Sequence, residues 1–268
     1  MFNKSDNLNS SVNTFVDKVY VLSVKTFSTR IAHIKNEMQK HNINYEFVFS
    51  YDIPEVDDLL LETAFVKSAL TMAQISLVLK HIHAWRDAEA HGYKKILIFE
   101  DDVILHKEFG SYISKIASAM AELPPNYLIF LGGADSKVPD AYLLSKEVIV
   151  ELPIATTEAY ITDLSSIQRR LNWLSNNKVA LPADHLICKV DKLLGIANFW
   201  SRKPIVEQGS VTGIFDSVLD SHRQKHSRTF NVLRYRWNKL QRHILRSWIA
   251  HLKSPFTKLL TGKNNDRI

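Results

Sequence analysis

The chain has 268 residues, of which 46% are hydrophobic and 23% are charged, with only eight glycines and eight prolines. This composition excludes a collagen-like, disordered or repeat-rich β protein and predicts a folded chain with a sizeable core. The single cysteine, Cys188, excludes an intrachain disulfide and a cysteine-rich zinc site, so a reducing compartment is expected. No run of about eighteen apolar residues occurs, and we therefore expect no membrane-spanning helix.

Charge is divided unevenly along the chain. Residues 223–268 contain twelve lysines and arginines against one acid, a net charge of +11, whereas residues 1–222 contain 22 basic and 27 acidic residues, a net charge of −5. The first 17 residues are polar and lack the apolar core of a secretory signal. We expect a polar leader over 1–17, a folded domain over 18–222 and a basic helical tail over 223–268.

The pattern up to residue 100 predicts alternating strands and helices. Periodicity and capping signals place, in chain order, a strand at 18–24, a helix at 26–41, a strand at 45–51, an acidic loop with a short helix at 55–70, a helix at 71–90 and a strand at 95–99. A strand, a helix and a strand in succession predict a parallel pair. The alternation of strands and helices predicts the α/β fold class.

The sequence pattern after residue 100 predicts shorter elements. In chain order they are a helix at 111–123, strands at 127–131, 148–152 and 158–162, a helix at 165–174, a short element opening at Pro182, edge strands at 195–200 and 205–206, and a polar loop at 209–222.

Three consecutive carboxylates, Glu100, Asp101 and Asp102, follow the apolar run from Ile96 to Phe99. An ionised carboxylate left unpaired at the end of a buried strand costs on the order of several kcal/mol unless a cation or several donors compensate. Mg²⁺ or Mn²⁺ would compensate, because hard divalent cations favour oxygen ligands and often combine protein carboxylates with substrate phosphates. Ligands of open α/β sheets bind at the carboxyl ends of strands. The triplet therefore predicts a metal and ligand site, with an acidic turn as the simpler alternative.

Five patches in chain order, over roughly residues 18 to 217, resemble the family 25 glycosyltransferases of lipopolysaccharide and lipooligosaccharide biosynthesis. They are Val21 to Arg30, Gln74 to Trp85, Phe99 to Val103, Ala159 to Thr162 with Pro182-Ala183-Asp184, and Pro204 to Gln208 with Ser217. The third patch contains the family's Glu-Asp-Asp-Val without a change. Departures occur in the first two patches, at Ser23, Lys25, Thr26, Gln74, Ser76 and Lys80. The resemblance implies a GT-A fold, with a Rossmann-type mixed sheet flanked by helices. It also implies a nucleotide-sugar donor and inverting transfer to a saccharide acceptor on lipid A core.

The resemblance also implies roles for particular residues. Asp102 and Glu100 are expected to hold the metal, since residues i and i+2 of an extended chain point the same way. Arg30, Glu100 and Asp101 form the expected donor-binding set, although the alternation turns the Asp101 side chain to the opposite side. Asp184 is the candidate base that takes the proton of the acceptor hydroxyl, with a helix N-cap as its alternative.

Two histidines complete the candidate residues. His81 matches the family and is a candidate catalytic residue, but it lies on an apolar helical stripe, where a buried histidine bonded within the protein is the alternative. His222 could complete the metal ligands from a closing loop.

The basic tail has a helical amphipathic pattern. Its apolar residues recur every three or four positions, at Phe230, Leu233, Trp237, Leu240, Ile244, Trp248 and Leu252. Such a helix lies in a lipid headgroup layer, and each Lys or Arg near an anionic leaflet adds about 1 kcal/mol of binding. The alternative is a helix that packs its apolar face on the body.

The leading hypothesis is a cytoplasmic glycosyltransferase, peripheral on the inner face of the cytoplasmic membrane. It would use a UDP-sugar, Mn²⁺ or Mg²⁺, and a lipid-linked oligosaccharide acceptor. A non-catalytic UDP-sugar-binding or scaffolding protein is one alternative. A nucleic-acid-binding protein is another, but the acidic body would repel phosphates and no nucleic-acid motif is present, so we expect no nucleic acid partner.

Overall fold

A computed structural model of the chain describes residues 12–67, 70–133, 136, 138–154, 156–212, 215, 228–250 and 252. Within these ranges the strands are β1 Lys18–Leu22, β2 Glu46–Val48, β3 Lys95–Glu100, β4 Val103–Leu105, β5 Tyr127–Phe130, β6 Ile149–Glu151, β7 Ala159–Asp163, β8 Ala197–Ser201 and β9 Val206–Gln208. The helices are α1 Ser28–Lys40, α2 Asp58–Ala64, α3 Met72–His91, α4 Phe109–Ala121, α5 Asp140–Leu144, α6 Leu164–Asn176, α7 Ala183–Leu194, α8 Gly209–Thr212 and α9 Arg228–Leu240.

Seven strands form one mixed sheet in the order β2-β1-β3-β7-β5-β8-β6, and β4 pairs with β9 in a separate two-stranded sheet. Strands β1, β2 and β3 are parallel, β7 runs antiparallel between β3 and β5, and β5 is parallel to β8. The carboxyl ends of β1, β3 and β5 therefore meet the amino end of β7 at one edge of the sheet.

Helices cover both faces of the sheet, and the residues of β3 alternate between the two cores. Ile96 and Ile98 pack with α3, α6 and α7, whereas Leu97 and Phe99 pack with α1 and α4. Helix α3 is the longest element that frames the site. A capping box between Thr71 and Gln74 starts it, and Gly92 ends it in the left-handed conformation at φ 67°.

The expected α/β architecture with a mixed sheet and flanking helices is confirmed, as is the parallel pairing of β1 with β2. Edge strands were predicted at 195–200 and 205–206. The prediction is wrong for the first of them, β8, which pairs with β5 on one side and β6 on the other. The polar Asn198 is not typical of a strand inside a sheet. In the structure its amide Nδ2 donates to the buried Asp191 carboxylate at 2.8 Å. The element that opens at Pro182 is a helix of twelve residues rather than a short one.

The described part of the chain begins inside the predicted leader. Val12 and Val16 are buried in the core beneath α1 and α4, so the folded region includes residues 12–17. None of the helices among the described residues is both long and apolar enough to cross a bilayer.

Candidate functional site

A cavity of about 440 Å³ opens at the carboxyl ends of β1 and β3. Its walls come from the chain after β1, from the segment around Pro54, and from the first half of α3. The described residues that line it are Leu22, Ser23, Val24, Lys25, Thr26, Phe27, Arg30, Asp52, Ile53, Pro54, Glu55, Ala73, Ser76, Leu77, Lys80, Glu100 and Asp101. Two of the three carboxylates of the predicted metal and ligand site, Glu100 and Asp101, therefore line this cavity.

Glu100 is the last residue of β3 and is buried at the inner end of the cavity. The Thr157 hydroxyl donates to its Oε1 at 2.8 Å, and Gln208 Nε2 lies 3.4 Å from its Oε2. Burial and, to a smaller extent, the nearby charge of Asp102 raise the pKa of Glu100 to about 8. A cation beside this carboxyl would reverse both effects.

Asp101 is held by donors from the β1 side. Ser23 Oγ donates to its Oδ2 at 2.7 Å, and Arg30 Nη1 donates to its Oδ1 at 2.9 Å. The expectation that Asp101 faces away from Glu100 is wrong, because both line the cavity. The reason is that β3 ends at Glu100 and residues 101–102 form a turn, so the strict alternation of an extended strand does not continue.

Asp102 is buried in that turn, behind the cavity wall. Its Oδ2 accepts from the backbone N–H of Ser210 at 3.0 Å, whereas its Oδ1 has no hydrogen-bond partner among the described residues. Burial raises its pKa, and the charge of Arg30 opposes the shift. The Gly209 N–H donates to the Asp102 carbonyl at 2.7 Å, and a side chain at 209 would place Cβ only 2.5 Å from that oxygen. Glycine is therefore required at 209 for this close contact.

A fourth buried carboxylate, Glu158, lies just before β7 at the same edge of the sheet. The N–H of Gly133, which has a φ of 76°, donates to Glu158 Oε1 at 2.5 Å. Glu158 also raises the pKa of Glu100, after burial and Asp102, so its charge acts at the same site. No local pattern in the sequence marks Glu158 as a site residue, because it joins the site only through the pairing of β7 with β3.

A buried ion pair closes the side of the cavity next to α3. Lys80 Nζ lies 2.7 Å from Asp52 Oδ1 and also donates to the Ser50 carbonyl at 2.9 Å. Burial lowers the pKa of Lys80, and the Asp52 carboxylate opposes the shift. In the sequence Lys80 is a departure from the family pattern. A lysine within an apolar helical stripe is also a signal of a buried charge, and this signal could have placed Lys80 at the site.

Asp184 lies in the first turn of α7, and Pro182 occupies the N-cap position. The N-cap alternative for Asp184 is therefore wrong by two positions. Its Oδ1 accepts from the N–H of the next residue, His185, at 2.8 Å, and the side chain is half-buried. Asp184 is not among the described residues that line the cavity.

His81 lies in the core beneath the site, with 1% of its surface exposed. Its Nδ1 is 2.9 Å from the Tyr160 hydroxyl, to which Trp85 Nε1 also donates at 3.1 Å. Burial and, to a smaller extent, the charge of Arg170 lower the pKa of His81 to about 3, so the ring is neutral at pH 7. This geometry fits the alternative of a histidine bonded within the protein. The other candidate histidine, His222, lies outside the described residues.

A divalent ion fits the acidic end of this site on two observations. Glu100 and Asp102 are both buried carboxyls with raised pKa values, and Oδ1 of Asp102 lacks a partner among the described atoms. However, no group of three or more His, Cys, Asp or Glu side chains is arranged to hold a metal in the described part of the chain. The fit is therefore to an ion that takes two protein carboxylates and completes its shell with substrate oxygens and water.

Comparison with known proteins supports the resemblance found in the sequence. Residues 16–187 match the family model of glycosyltransferase family 25 (LPS biosynthesis protein), so four of the five patches lie within the match and the fifth lies beyond it. No curated protein sequence matches the chain significantly.

Among solved structures, a similar chain is a glycosyltransferase involved in the glycosylation of the major capsid of PBCV-1. The two share 9% sequence identity with a TM-score of 0.43, over 82% of this chain and 98% of that chain. The family match, in contrast, extends over more than half of the chain and includes Glu100, Asp101 and Asp102. The chain therefore belongs to glycosyltransferase family 25.

Proposed function

We propose that this glycosyltransferase moves a hexose, galactose or glucose, from a UDP-sugar to a saccharide acceptor of lipopolysaccharide or lipooligosaccharide core, with inversion at the transferred carbon. The proposal includes a GT-A type of donor site. The observation that carries it is the cavity at the carboxyl ends of β1 and β3, with apolar walls and Glu100 at its inner end. Such a position is where α/β folds bind nucleotides.

The two ends of the cavity differ in the side chains that line them. Phe27, Pro54 and Leu77 provide an apolar surface on which a planar base can pack. Asp52 and Ser76 lie beside them as polar groups, although both already make contacts within the protein. We place the nucleoside at this end and the diphosphate toward Arg30 and Glu100.

The charges of the cavity support metal-assisted donor binding. Three cationic side chains line it, and each is paired with an acid: Lys25 with Glu55, Arg30 with Asp101, and Lys80 with Asp52. Glu100 adds a fourth acid, so the described walls hold no positive excess for a diphosphate. We therefore propose that Mn²⁺ or Mg²⁺ is bound by Asp102 and Glu100, where it would neutralise charge on the leaving diphosphate.

The side chains around the ion have distinct tasks. Arg30, held by Asp101, keeps a fixed guanidinium at the cavity wall, where it can donate to a phosphate oxygen without losing its carboxylate partner. Thr157 and Gln208 fix the direction of the Glu100 carboxyl. For Asp184 we propose the base that accepts the proton of the acceptor hydroxyl. This role rests on the family resemblance and on its position in the first turn of α7.

Donor binding can be tested by thermal shift with a panel of nucleotide sugars, each with and without Mn²⁺. A ligand at about a hundred times its dissociation constant should stabilise the protein by roughly 2.7 kcal/mol. We expect a metal-dependent shift with UDP-galactose or UDP-glucose, and its loss in Asp102→Asn but not in Asp58→Asn, an exposed aspartate on α2. The absence of any metal-dependent shift with a UDP-sugar would contradict the proposal.

Transfer is tested separately from binding. In Asp184→Asn we expect donor binding to persist while release of UDP in the presence of acceptor is lost. Normal turnover in this variant would exclude Asp184 as the base. Binding without turnover in the parent protein, across the same acceptors, would favour a UDP-sugar-binding protein.

We further propose that the protein works in the cytoplasm at the inner face of the membrane, since a lipid-linked acceptor would be presented there.

A further inference from the structure

The C-terminal helix presents two different faces. Helix α9 continues as a π-helical segment, Gln241–Arg246, and as helix to Ala250. One face contacts the body: Tyr235 and Ala250 are buried, Lys239 pairs with Glu207, and Arg246 Nη2 donates to the Val138 carbonyl at 2.7 Å. These contacts fix how the helix is rotated about its axis.

The apolar stripe lies on the opposite face. Successive residues of a helix are about 100° apart, so Trp237 is turned about 160° away from Tyr235 and Lys239 about 160° away from Trp237. Six residues of the stripe are between 43% and 71% exposed: Phe230, Leu233, Trp237, Leu240, Trp248 and Leu252. The alternative, a helix that packs its apolar face on the body, is therefore wrong for these residues.

This exposed face needs a partner that is both apolar and anionic. Contiguous apolar surface of this kind marks an interaction site on a soluble domain. Arg234 and Arg236 are also exposed, and residues 223–265 contain no Asp or Glu. A second copy of the chain would bring two strongly cationic surfaces together, which Coulomb repulsion disfavours. A nucleic acid would satisfy the cations but would leave two exposed tryptophans and four aliphatic or aromatic neighbours in water.

We propose that this outer face docks on an anionic lipid bilayer, with Trp237 and Trp248 in the interfacial layer and the flanking arginines on lipid headgroups. The inference deepens, and rests on, the proposed location at the membrane. It does not depend on which sugar is transferred.

The inner face ties the docked helix to the acidic site. Glu207, the partner of Lys239, directly precedes Gln208, whose amide lies 3.4 Å from Glu100. A bilayer bound to the outer face would therefore be linked to the carboxylates through Lys239, Glu207 and Gln208.

The test is co-sedimentation of the full chain with vesicles of phosphatidylcholine alone or with phosphatidylglycerol added. We expect binding to the anionic vesicles, and at least a tenfold loss of partitioning in Trp237→Ser/Trp248→Ser. The matched control is Leu59→Ser/Leu193→Ser, which removes two similarly exposed apolar residues, at 70% and 63% exposure, from the body. Arg234→Glu/Arg236→Glu should remove the preference for anionic vesicles.

Equal partitioning of the tryptophan variant and the parent would overturn the proposal. So would a dimer, detected by light scattering, that the tryptophan substitutions dissociate, since the face would then bind a second copy. The metal-dependent thermal shift with a UDP-sugar should be the same in the tryptophan variant and the parent, which separates a failure of docking from a failure of donor binding.

Discussion

Two clusters of buried charge differ in whether their charges are balanced within the protein. In the first, Arg170 on α6 makes two hydrogen bonds of 2.7 Å to Asp191 on α7, and both side chains are 1% exposed. In the second, Glu100 and Asp102 are buried together with raised pKa values. The first cluster contains its own counter-charge, whereas in the second no ion pair joins a cation to Glu100 or Asp102 in the described part of the chain. We propose that a bound metal ion supplies the missing charge.

The neighbours of each cluster reinforce this difference. Arg170 also donates to Thr162 Oγ1 at 2.9 Å and lies 5.3 Å from the ring centre of Trp85, so its donors are used within the core. Asp102, in contrast, retains an oxygen without a partner in the described part of the protein. Substitutions should therefore affect stability at the first cluster and activity at the second.

The largest effect is expected from breaking the balanced pair. Arg170→Met leaves Asp191 buried without its counter-charge, and we expect the free energy of unfolding to fall by about 3–5 kcal/mol. Denaturation by urea measures this loss. The double variant Arg170→Met/Asp191→Leu removes both charges and should recover much of the stability; a double variant as unstable as the single one would show that packing, rather than charge balance, explains the cost.

Substitution in the second cluster, Glu100 and Asp102, should lower activity rather than stability. Asp102→Asn removes a buried charge that repels Glu100, so stability without metal should stay within about 1 kcal/mol of the parent or rise. Turnover should fall by about a hundredfold or more, because the proposed ion loses one of its two protein ligands. A stability loss as large as that of Arg170→Met, with turnover retained, would make Asp102 a structural residue.

The smallest effect concerns His81, a neutral group that adjoins the balanced pair. The folded protein protonates it only near pH 3, whereas the unfolded chain does so below about 6.5. The unfolded state therefore binds more protons between these values, and stability falls as the pH is lowered through this window. In His81→Gln we expect a shallower loss of melting temperature between pH 6.5 and pH 4. An unchanged slope would show that other groups dominate the acid response.

The acidic site could be found from the sequence because its signal is local. Three carboxylates after four apolar residues indicate the end of a buried strand, and β3 ends at Glu100 as this pattern requires. The direction of Asp101 could not be found in this way, since it depends on where the strand stops and the turn begins. The strand β4 was not predicted either, because it is only three residues long and begins directly after this turn.

The rest of the site depends on contacts between distant segments. Asp52 and Lys80 are 28 residues apart and meet only because α3 packs beside the segment after β2. Glu158 and Thr157 reach Glu100 because β7 runs antiparallel between β3 and β5, an order that strand propensity does not encode. In the tail, periodicity predicted the amphipathic helix, but only the contacts of Tyr235 and Lys239 show which face is covered.

The docking that we propose for the outward stripe of the C-terminal helix would have a kinetic consequence. A bilayer-bound enzyme and a lipid-linked acceptor diffuse in the same two-dimensional layer, while the nucleotide sugar arrives from the surrounding solution. The rate of transfer should then follow the number of acceptor molecules per unit area of membrane rather than their concentration in the whole sample. Dilution of the acceptor with inert anionic lipid, at a constant total amount of acceptor, should slow the reaction, whereas dilution of the donor should act through bulk volume alone.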